Sequence, residues 1–350
     1  MEEVKRASLE ELTGFVNNVL KAVDADNEQA RVFTEALIWS DLIGRPTHGV
    51  WRLPAYAKRI ARGLIKCPCQ PEYDQLDFAV AVMDGDEGLG HYLGHEAMIH
   101  SIELARKFGI GAVGVRNSNH FGTGAYYVHL AAEHGMMGVA VSNSISKVAP
   151  HGGIRAVFGT NPFAFGAPRS NGKSIMLDMA TTAIAGAQVM RYAEQGRALP
   201  EGIAIDPEGN PILDPSRVDE GVLLPFGGAK GYGLTLMIEI LSSVLTGAMF
   251  STGVNSMFNN FEESGKNGHF FIAIDVSRFM DLDSYFERIE ELLSLVKNSG
   301  KEKNNVMIPG EARWEQYEKN LELGVPLDDS TIKALQGLAD QYRIPADFLA

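Results

Sequence analysis

Between residues 78 and 274 the chain alternates short β-rich runs with helical patterns. The runs are Phe78 to Met83, Ile110 to Val115, Met137 to Ser142, Ala156 to Phe158, Ser174 to Leu177 and Phe270 to Ile274. Runs this short are not stable alone, so they must share one sheet, and the apolar faces of the patterns at Glu96 to Phe108, Gly124 to His134, Ile184 to Glu194 and Gly233 to Leu245 must cover it. The class is α/β or α+β. Spacing does not decide between them, because it says nothing of strand direction.

The seventy or so residues before the sheet read as helical. Ser8 and Glu11 have capping-box spacing, and Leu12, Phe15, Val16, Val19, Leu20 and Val23 follow at helical intervals. A second start at Asp26, with Gln29 three residues on, leads into Val32, Phe33, Ala36 and Leu37 and runs to about Asp41. The stretch from Glu194 to Glu220, rich in Gly, Pro and Asp, reads as turns on a surface excursion. A linker near Asn298 to Asn305 precedes two further helical patterns, Ala312 to Asn320 and Asp329 to Tyr342.

Charge narrows the function classes. With 31 Lys and Arg against 44 Asp and Glu the formal net charge is −13, which repels phosphate backbones and anionic headgroups, so neither nucleic acid nor a membrane is expected as a partner. The 45% hydrophobic content is that of a globular chain rather than a disordered one. No run approaches the roughly 18 apolar residues of a membrane span, and Met1 to Leu12 contains no apolar leader. The expected location is cytoplasmic. Cys67 and Cys69 are too close for an ordinary disulfide and too few for a thiolate cage, so two reduced thiols and no metal are expected.

No glycine run carries a standard phosphate loop. Gly88-Leu-Gly90-His-Tyr-Leu-Gly94 has one residue too many before its last glycine and follows Asp84-Gly-Asp-Glu87, so it reads as a turn entering a helix. Gly227-Gly-Ala-Lys230-Gly-Tyr-Gly233 lacks the Walker order but lets backbone come close to a ligand. His48 is followed four residues on by Arg52; on one helical face the two would combine proton exchange near neutral pH with a fork for a carboxylate, as a 2-hydroxy acid oxidoreductase requires. The same spacing also arises as a surface coincidence. His120 follows the run Ile110 to Val115 and so falls at a strand's C-terminal end, a place favoured by ligand sites and equally open to a structural histidine. His91, His95 and His100 lack a matching carboxylate set and read as solvated or packing residues.

Taken in order, several segments resemble the type-2 malate/L-lactate dehydrogenase family, which includes ureidoglycolate, sulfolactate and 2,3-diketogulonate dehydrogenases and cyclic-imine reductases. The carrying segments are Ser40-Asp-Leu-Ile-Gly44, Thr47-His-Gly-Val-Trp-Arg-Leu-Pro54, Asn117-Ser-Asn-His-Phe-Gly122, Ser142-Asn-Ser144, Phe158-Gly-Thr-Asn-Pro162, Leu177-Asp-Met-Ala-Thr181, Leu224-Pro-Phe-Gly-Gly-Ala-Lys-Gly-Tyr-Gly-Leu234, Gly268-His-Phe-Phe-Ile-Ala-Ile274 and Pro309-Gly-Glu311. They cover almost the whole chain.

The resemblance implies a non-Rossmann NAD(P)-binding fold with a largely antiparallel central sheet flanked by helices, and a homodimer. It divides the chain into a helical domain from both termini, 1–75 with 305–350, and a sheet domain, 76–304, with the excursion at about 190–222. It implies reversible hydride transfer between NAD or NADP, NAD being favoured, and C2 of a small 2-hydroxy or 2-oxo acid of the malate or L-lactate type. His48 would exchange the proton, Arg52 would hold the carboxylate with Thr47 beside it, and His120 matches the acid/base of the ureidoglycolate branch. Ser144, Asp178, Met179, Ala180, Thr181, Ala229, Lys230, Gly310 and Glu311 would contact the cofactor. Thr47 stands where most relatives have Ser, and Ala229 where many have His or Tyr. Ureidoglycolate oxidation, NADPH-dependent cyclic-imine reduction and a catalytically silent cofactor-binding protein are the alternatives.

Overall fold

The fold, a computed structural model, describes residues 5–302 and 306–349. A two-residue strand β1 (Arg6–Ala7) leads into α1 (Leu9–Ala22), where Ser8 accepts the amide hydrogen of Glu11 and the Glu11 side chain accepts that of Ser8. Two of the four orphan amides at the helix start are thereby satisfied. Asp26 likewise accepts from the amides of Glu28 and Gln29 to open α2 (Asn27–Leu42). Then come α3 (Leu53–Ala61), β2 (Glu72–Asp77), β3 (Val80–Asp84), α4 (Gly90–Phe108), β4 (Ile110–Ser118), α5 (Gly124–Glu133) and β5 (Met136–Ser142). The second half contains β6 (Phe163–Ala167), β7 (Ile175–Met179), α6 (Gly186–Glu194), β8 (Ala204–Ile205), β9 (Val222–Leu223), α7 (Ala229–Glu239), β10 (Asn267–Asp275), α8 (Leu282–Asn298), α9 (Glu311–Leu323), β11 (Val325–Pro326) and α10 (Asp329–Tyr342).

The central sheet has the order β2-β3-β4-β10-β5-β6-β7. Only β3 and β4 run parallel; every other neighbouring pair is antiparallel. The class is therefore a mixed α/β fold on a mostly antiparallel sheet flanked by helices. Phe271 of β10 lies opposite Val113 of β4 and Ala140 of β5, and all three are fully buried. These side chains join Met98 and Ile102 of α4 and Val128 of α5 in one core. A second core gathers Leu12 and Phe15 of α1, Phe33 and Leu37 of α2, Leu53 and Tyr56 of α3, and Leu335 and Leu338 of α10. A small third one, around Leu199, Ile203 and Ile212, lies under the turn-rich excursion. Among the described residues no helix is long and apolar enough to cross a membrane.

Several local expectations need correction. Ala156 to Phe158 is not a strand: Phe158 makes one isolated bridge to Val148, because the chain turns at once toward the loop carrying Thr160 and Asn161. The run Phe78 to Met83 opens in the turn between β2 and β3, with Phe78 at φ 43, and is strand β3 from Val80 onward. The helical pattern to Leu245 is α7 followed by a π-turn at Ile240–Val244. The elements α3, β2, β6 and α8 and the two-residue strands β1, β8, β9 and β11 were not anticipated. The linker expected near Asn298 to Asn305 follows α8 and lies partly outside the described residues, as does the expectation for Met1 to Val4.

Candidate active site

Asp41 builds the first half of the site. Its carboxylate, buried at the end of α2, accepts the amide hydrogen of Val50 at 2.8 Å. The chain between them closes so tightly that a Cβ on Gly49 would come within 1.9 Å of Asp41 Oδ1. His48 and Arg52 are not on one α-helical face as the spacing suggested: Gly49, at φ −96 and ψ −149, separates two 3-10 turns, Pro46–His48 and Val50–Arg52. The two side chains are placed by separate contacts. Thr47 Oγ1 lies 3.1 Å from His48 Nδ1. Arg52 donates through Nε to the carbonyl of Thr47 and through a terminal nitrogen to the sulfur of Met257 at 3.0 Å. Its guanidinium also stands 5.3 Å from the ring centre of Phe258, a cation–π contact.

The second half comes from the loop after β4, with His120 two residues beyond the strand's end, as its position in the sequence implied. Tyr56 of α3, fully buried, has its hydroxyl 2.6 Å from His120 Nδ1, and the amide of Gly122 donates to the same nitrogen at 3.3 Å. The His48 and His120 rings stack with centroids 5.7 Å apart and planes 28° from parallel. His91 packs edge-on against Phe33, Tyr56 and His120, and among the described residues neither of its ring nitrogens has a hydrogen-bond partner. Behind this layer His269 bridges the hydroxyls of Ser142 and Ser118 and lies flat on Phe121.

Burial and positive neighbours hold these imidazoles neutral. Desolvation, followed by Arg52, Arg45, His91 and Arg313, pulls His48 down to about 3. Burial and Arg52 also lower His91 to about 3, and His120 falls well below its ordinary value for the same leading reasons. Burial pushes Asp41 up to about 8 against the pull of the Val50 amide. A carboxyl protonated near neutral pH thus lies beneath the loop that carries His48.

The positions assigned to a cofactor fall on adjoining segments. Ser144 Oγ accepts the amide hydrogen of Thr160; Thr160 accepts from the Thr181 amide; Thr181 accepts from that of Phe226, just before the glycine run. Met179 and Ala180 are partly exposed at the end of β7. Ala229 and Lys230 stand exposed at the start of α7, after Gly227 and Gly228 with φ 56 and 61. The Lys230 side chain has no hydrogen bond or ion pair among the described residues. Asp178 is ion-paired to Arg313 at 3.2 Å, and its Oδ1 is 3.5 Å from where a Cβ on Gly124 would sit, so the His120 loop and β7 meet there. Gly310, at φ 95, is pressed against the Met176 amide. Glu311 is held by Lys297 and the Ile308 amide. A cavity of about 390 Å³ between α1, α2, α5 and α9 contains none of these residues.

Sequence reasoning missed Tyr56, Asp41, Arg45, Arg313 and the pairing of His269. Tyr56 had a signal, four residues after Arg52 and eight after His48; the others depend on contacts distant in sequence.

A family model described as malate/L-lactate dehydrogenase matches residues 7–336. The chain is 38% identical over 348 residues to a malate dehydrogenase of Pyrococcus abyssi, covering 97% of this chain and 95% of that protein. It is 36% identical to an L-sulfolactate dehydrogenase of Methanothermobacter thermautotrophicus, covering 97% and 98%. The solved sulfolactate dehydrogenase of Methanocaldococcus jannaschii superposes with a TM-score of 0.91 at 34% identity, covering 98% of each chain.

Proposed function

The chain belongs to the malate/L-lactate dehydrogenase family, and from that premise we propose that it moves a hydride between a nicotinamide cofactor and C2 of a small 2-hydroxy or 2-oxo acid, with His48 exchanging the hydroxyl proton. The carrying observation is the contact between His48 and His120, with Arg52 held by the carbonyl of Thr47, the residue before His48. Arg52 is placed to fork onto the substrate carboxylate, which turns a tumbling acid into one with a fixed reactive face. Neutral His48 accepts the hydroxyl proton as C2 is oxidised and returns it to the carbonyl oxygen in reduction. When the substrate carboxylate offsets the charge of Arg52, one cause of the low His48 pKa is removed, which favours the protonated state that reduction needs.

The nicotinamide group, when bound, supplies the hydride acceptor or donor. The residues present fit it: the ammonium of Lys230, without a hydrogen bond or ion pair among the described residues, and the left-handed Gly227 and Gly228 offer a cation and amides to phosphates. Ser144, Asp178, Met179, Ala180, Thr181, Ala229, Gly310 and Glu311 complete the proposed contacts, and no Rossmann glycine turn is needed. NAD is favoured over NADP. A cytoplasmic homodimer is proposed as well, supported by the exposed side chains of Ile240, Val244, Leu245, Met249 and Phe250, an apolar stretch that a second copy would cover.

Purified protein with NADH or NADPH is tested against oxaloacetate, pyruvate, a ureido acid and a piperideine carboxylate. Oxidation of the reduced cofactor with a 2-oxo acid is expected, with Arg52→Lys lowering kcat/KM about 10- to 100-fold through the lost fork. Turnover confined to the cyclic imine, or none with cofactor bound, contradicts the proposal.

A further inference from the structure

The loop 255–265, between the π-turn that follows α7 and β10, takes no part in the proton and hydride transfer described above. It closes on itself: the Asn255 amide donates to the carbonyl of Gly265 at 2.9 Å, the Asn255 side chain to that of Ser264 at 2.8 Å, and the Asn260 side chain to Oδ1 of Asn255 at 3.0 Å. Its ends are thereby joined, which makes it a compact surface unit rather than a slack connection. Two buried side chains dock it. Arg59 of α3, 1% exposed, donates to the carbonyls of Asn260 at 2.5 Å and Glu263 at 2.8 Å. Asn119, the residue before His120, accepts the amide hydrogen of Gly265 at 2.8 Å and donates to the carbonyls of Glu87 and Gly88. Lys58 and Phe261 add a cation–π contact at 3.8 Å.

What the loop presents to the site is Met257, packed against the helical core, and Phe258, 42% exposed. The Met257 sulfur accepts from Arg52 at 3.0 Å, and the Phe258 ring centre is 5.3 Å from the guanidinium carbon. Trp51 leans on Phe258 with centroids 5.8 Å apart and stands 5.9 Å from the same guanidinium. With the Thr47 carbonyl at Nε, every contact that orients Arg52 among the described residues is uncharged. A carboxylate in any of these places would neutralise the guanidinium and compete with an incoming acid. Sulfur, ring faces and a carbonyl fix its direction and leave its charge for the ligand. The chain of contacts is continuous: Arg59 fixes the loop, the loop fixes Arg52, and Tyr56, one turn before Arg59 on α3, holds His120.

We propose that Met257 and Phe258 are positioning residues for Arg52 and that Arg59, through the loop 255–265, holds them in place, so that this loop sets the affinity for the acid. This rests on the reading that Arg52 holds the substrate carboxylate. The effect passes through Arg52: loosening the loop lets the guanidinium swing, which weakens ground and transition states alike and raises KM with little change in kcat.

The test measures KM and kcat for oxaloacetate and pyruvate at saturating reduced cofactor in wild type and in Phe258→Leu, Phe258→Trp, Met257→Leu, Arg59→Lys, Arg52→Gln and the double variant of Phe258→Leu with Arg52→Gln. Oxamate, a carboxylate that is not reduced, is titrated calorimetrically into the cofactor-loaded proteins, so that the comparison does not depend on turnover. Phe258→Leu raises KM about 3- to 30-fold, the worth of the lost cation–π contact, with kcat and cofactor affinity within about twofold. Phe258→Trp, which keeps a ring face, restores it. Met257→Leu and Arg59→Lys move KM and oxamate affinity the same way. On the Arg52→Gln background, Phe258→Leu adds less than about twofold, because its effect passes through the guanidinium. Phe258 is exposed, so its variants decide the matter even where Arg59→Lys folds poorly. An unchanged KM in Phe258→Leu and Met257→Leu, or full additivity of Phe258→Leu with Arg52→Gln, overturns the proposal. An unchanged KM and oxamate affinity in Arg52→Gln would instead overturn the reading of Arg52 on which it rests.

Discussion

The hydroxyl of Tyr56 lies 2.6 Å from Nδ1 of His120, and the Gly122 amide donates to that nitrogen as well. An amide can only donate, so Nδ1 is the unprotonated nitrogen and the single hydrogen of neutral His120 resides on Nε2. The two stacked imidazoles therefore have different parts. In the proposed mechanism His120 would offer an N–H to the substrate oxygen, and His48, with Thr47 at its Nδ1, would exchange the proton.

Replacing Tyr56 by Phe removes the hydroxyl and keeps the ring packed on Phe33 and His91. His120 loses its principal donor and the imidazole is free to take the other tautomer. The expected outcome in steady-state kinetics is a fall in kcat of about 10- to 100-fold, the worth of about 1.5–3 kcal/mol, with cofactor affinity unchanged. An unchanged kcat would remove Tyr56 from the positioning of His120.

The lowered pKa of His48 fixes the sign of the acid dependence. Oxidation of the hydroxy acid needs the neutral imidazole, and kcat/KM reports the free enzyme. With desolvation and the neighbouring arginines holding His48 at about 3, kcat/KM for malate oxidation stays level as pH falls from 8 to about 5. An acid limb centred near the ordinary histidine value of about 6.5 would contradict this environment.

Asp41 gives a stability prediction of opposite sign to the usual carboxylate. Burial raises it to about 8 in the folded chain, against about 3.9 unfolded. Between those values the folded state binds the extra proton, so stability falls as pH rises through that window. Asp41→Asn keeps an oxygen for the Val50 amide and cannot ionise, and it flattens the pH dependence of the unfolding midpoint between about 5 and 8. An equal slope in variant and wild type would show that Asp41 does not titrate there.

The helices opened by Ser8 and Asp26 were legible because a cap is a local signal: the residues that make it lie within one turn. The strands of the sheet's centre were legible from their apolar runs. β6 was not, since Phe163–Ala167 contains alanine and glycine and its strand character comes from pairing with β5 and β7. His48, Arg52 and His120 could be named from the chain, but not their geometry. Gly49 splits the expected helix because Asp41, eight residues earlier, occupies the space a side chain would need. Arg313, far along the sequence, reaches Asp178 only once α9 has docked. His269 was passed over because no neighbour in sequence marks it, while its partners Ser118 and Ser142 lie on strands to either side.

The central claim is that His48 exchanges the proton while hydride moves at C2. Its most direct test is the rate at which reduced nicotinamide is consumed with oxaloacetate by wild type and by His48→Asn, with cofactor affinity followed by fluorescence. The account predicts wild-type turnover, a loss of about 100- to 10,000-fold in the variant and cofactor binding within about twofold. A variant that turns over at the wild-type rate would contradict it.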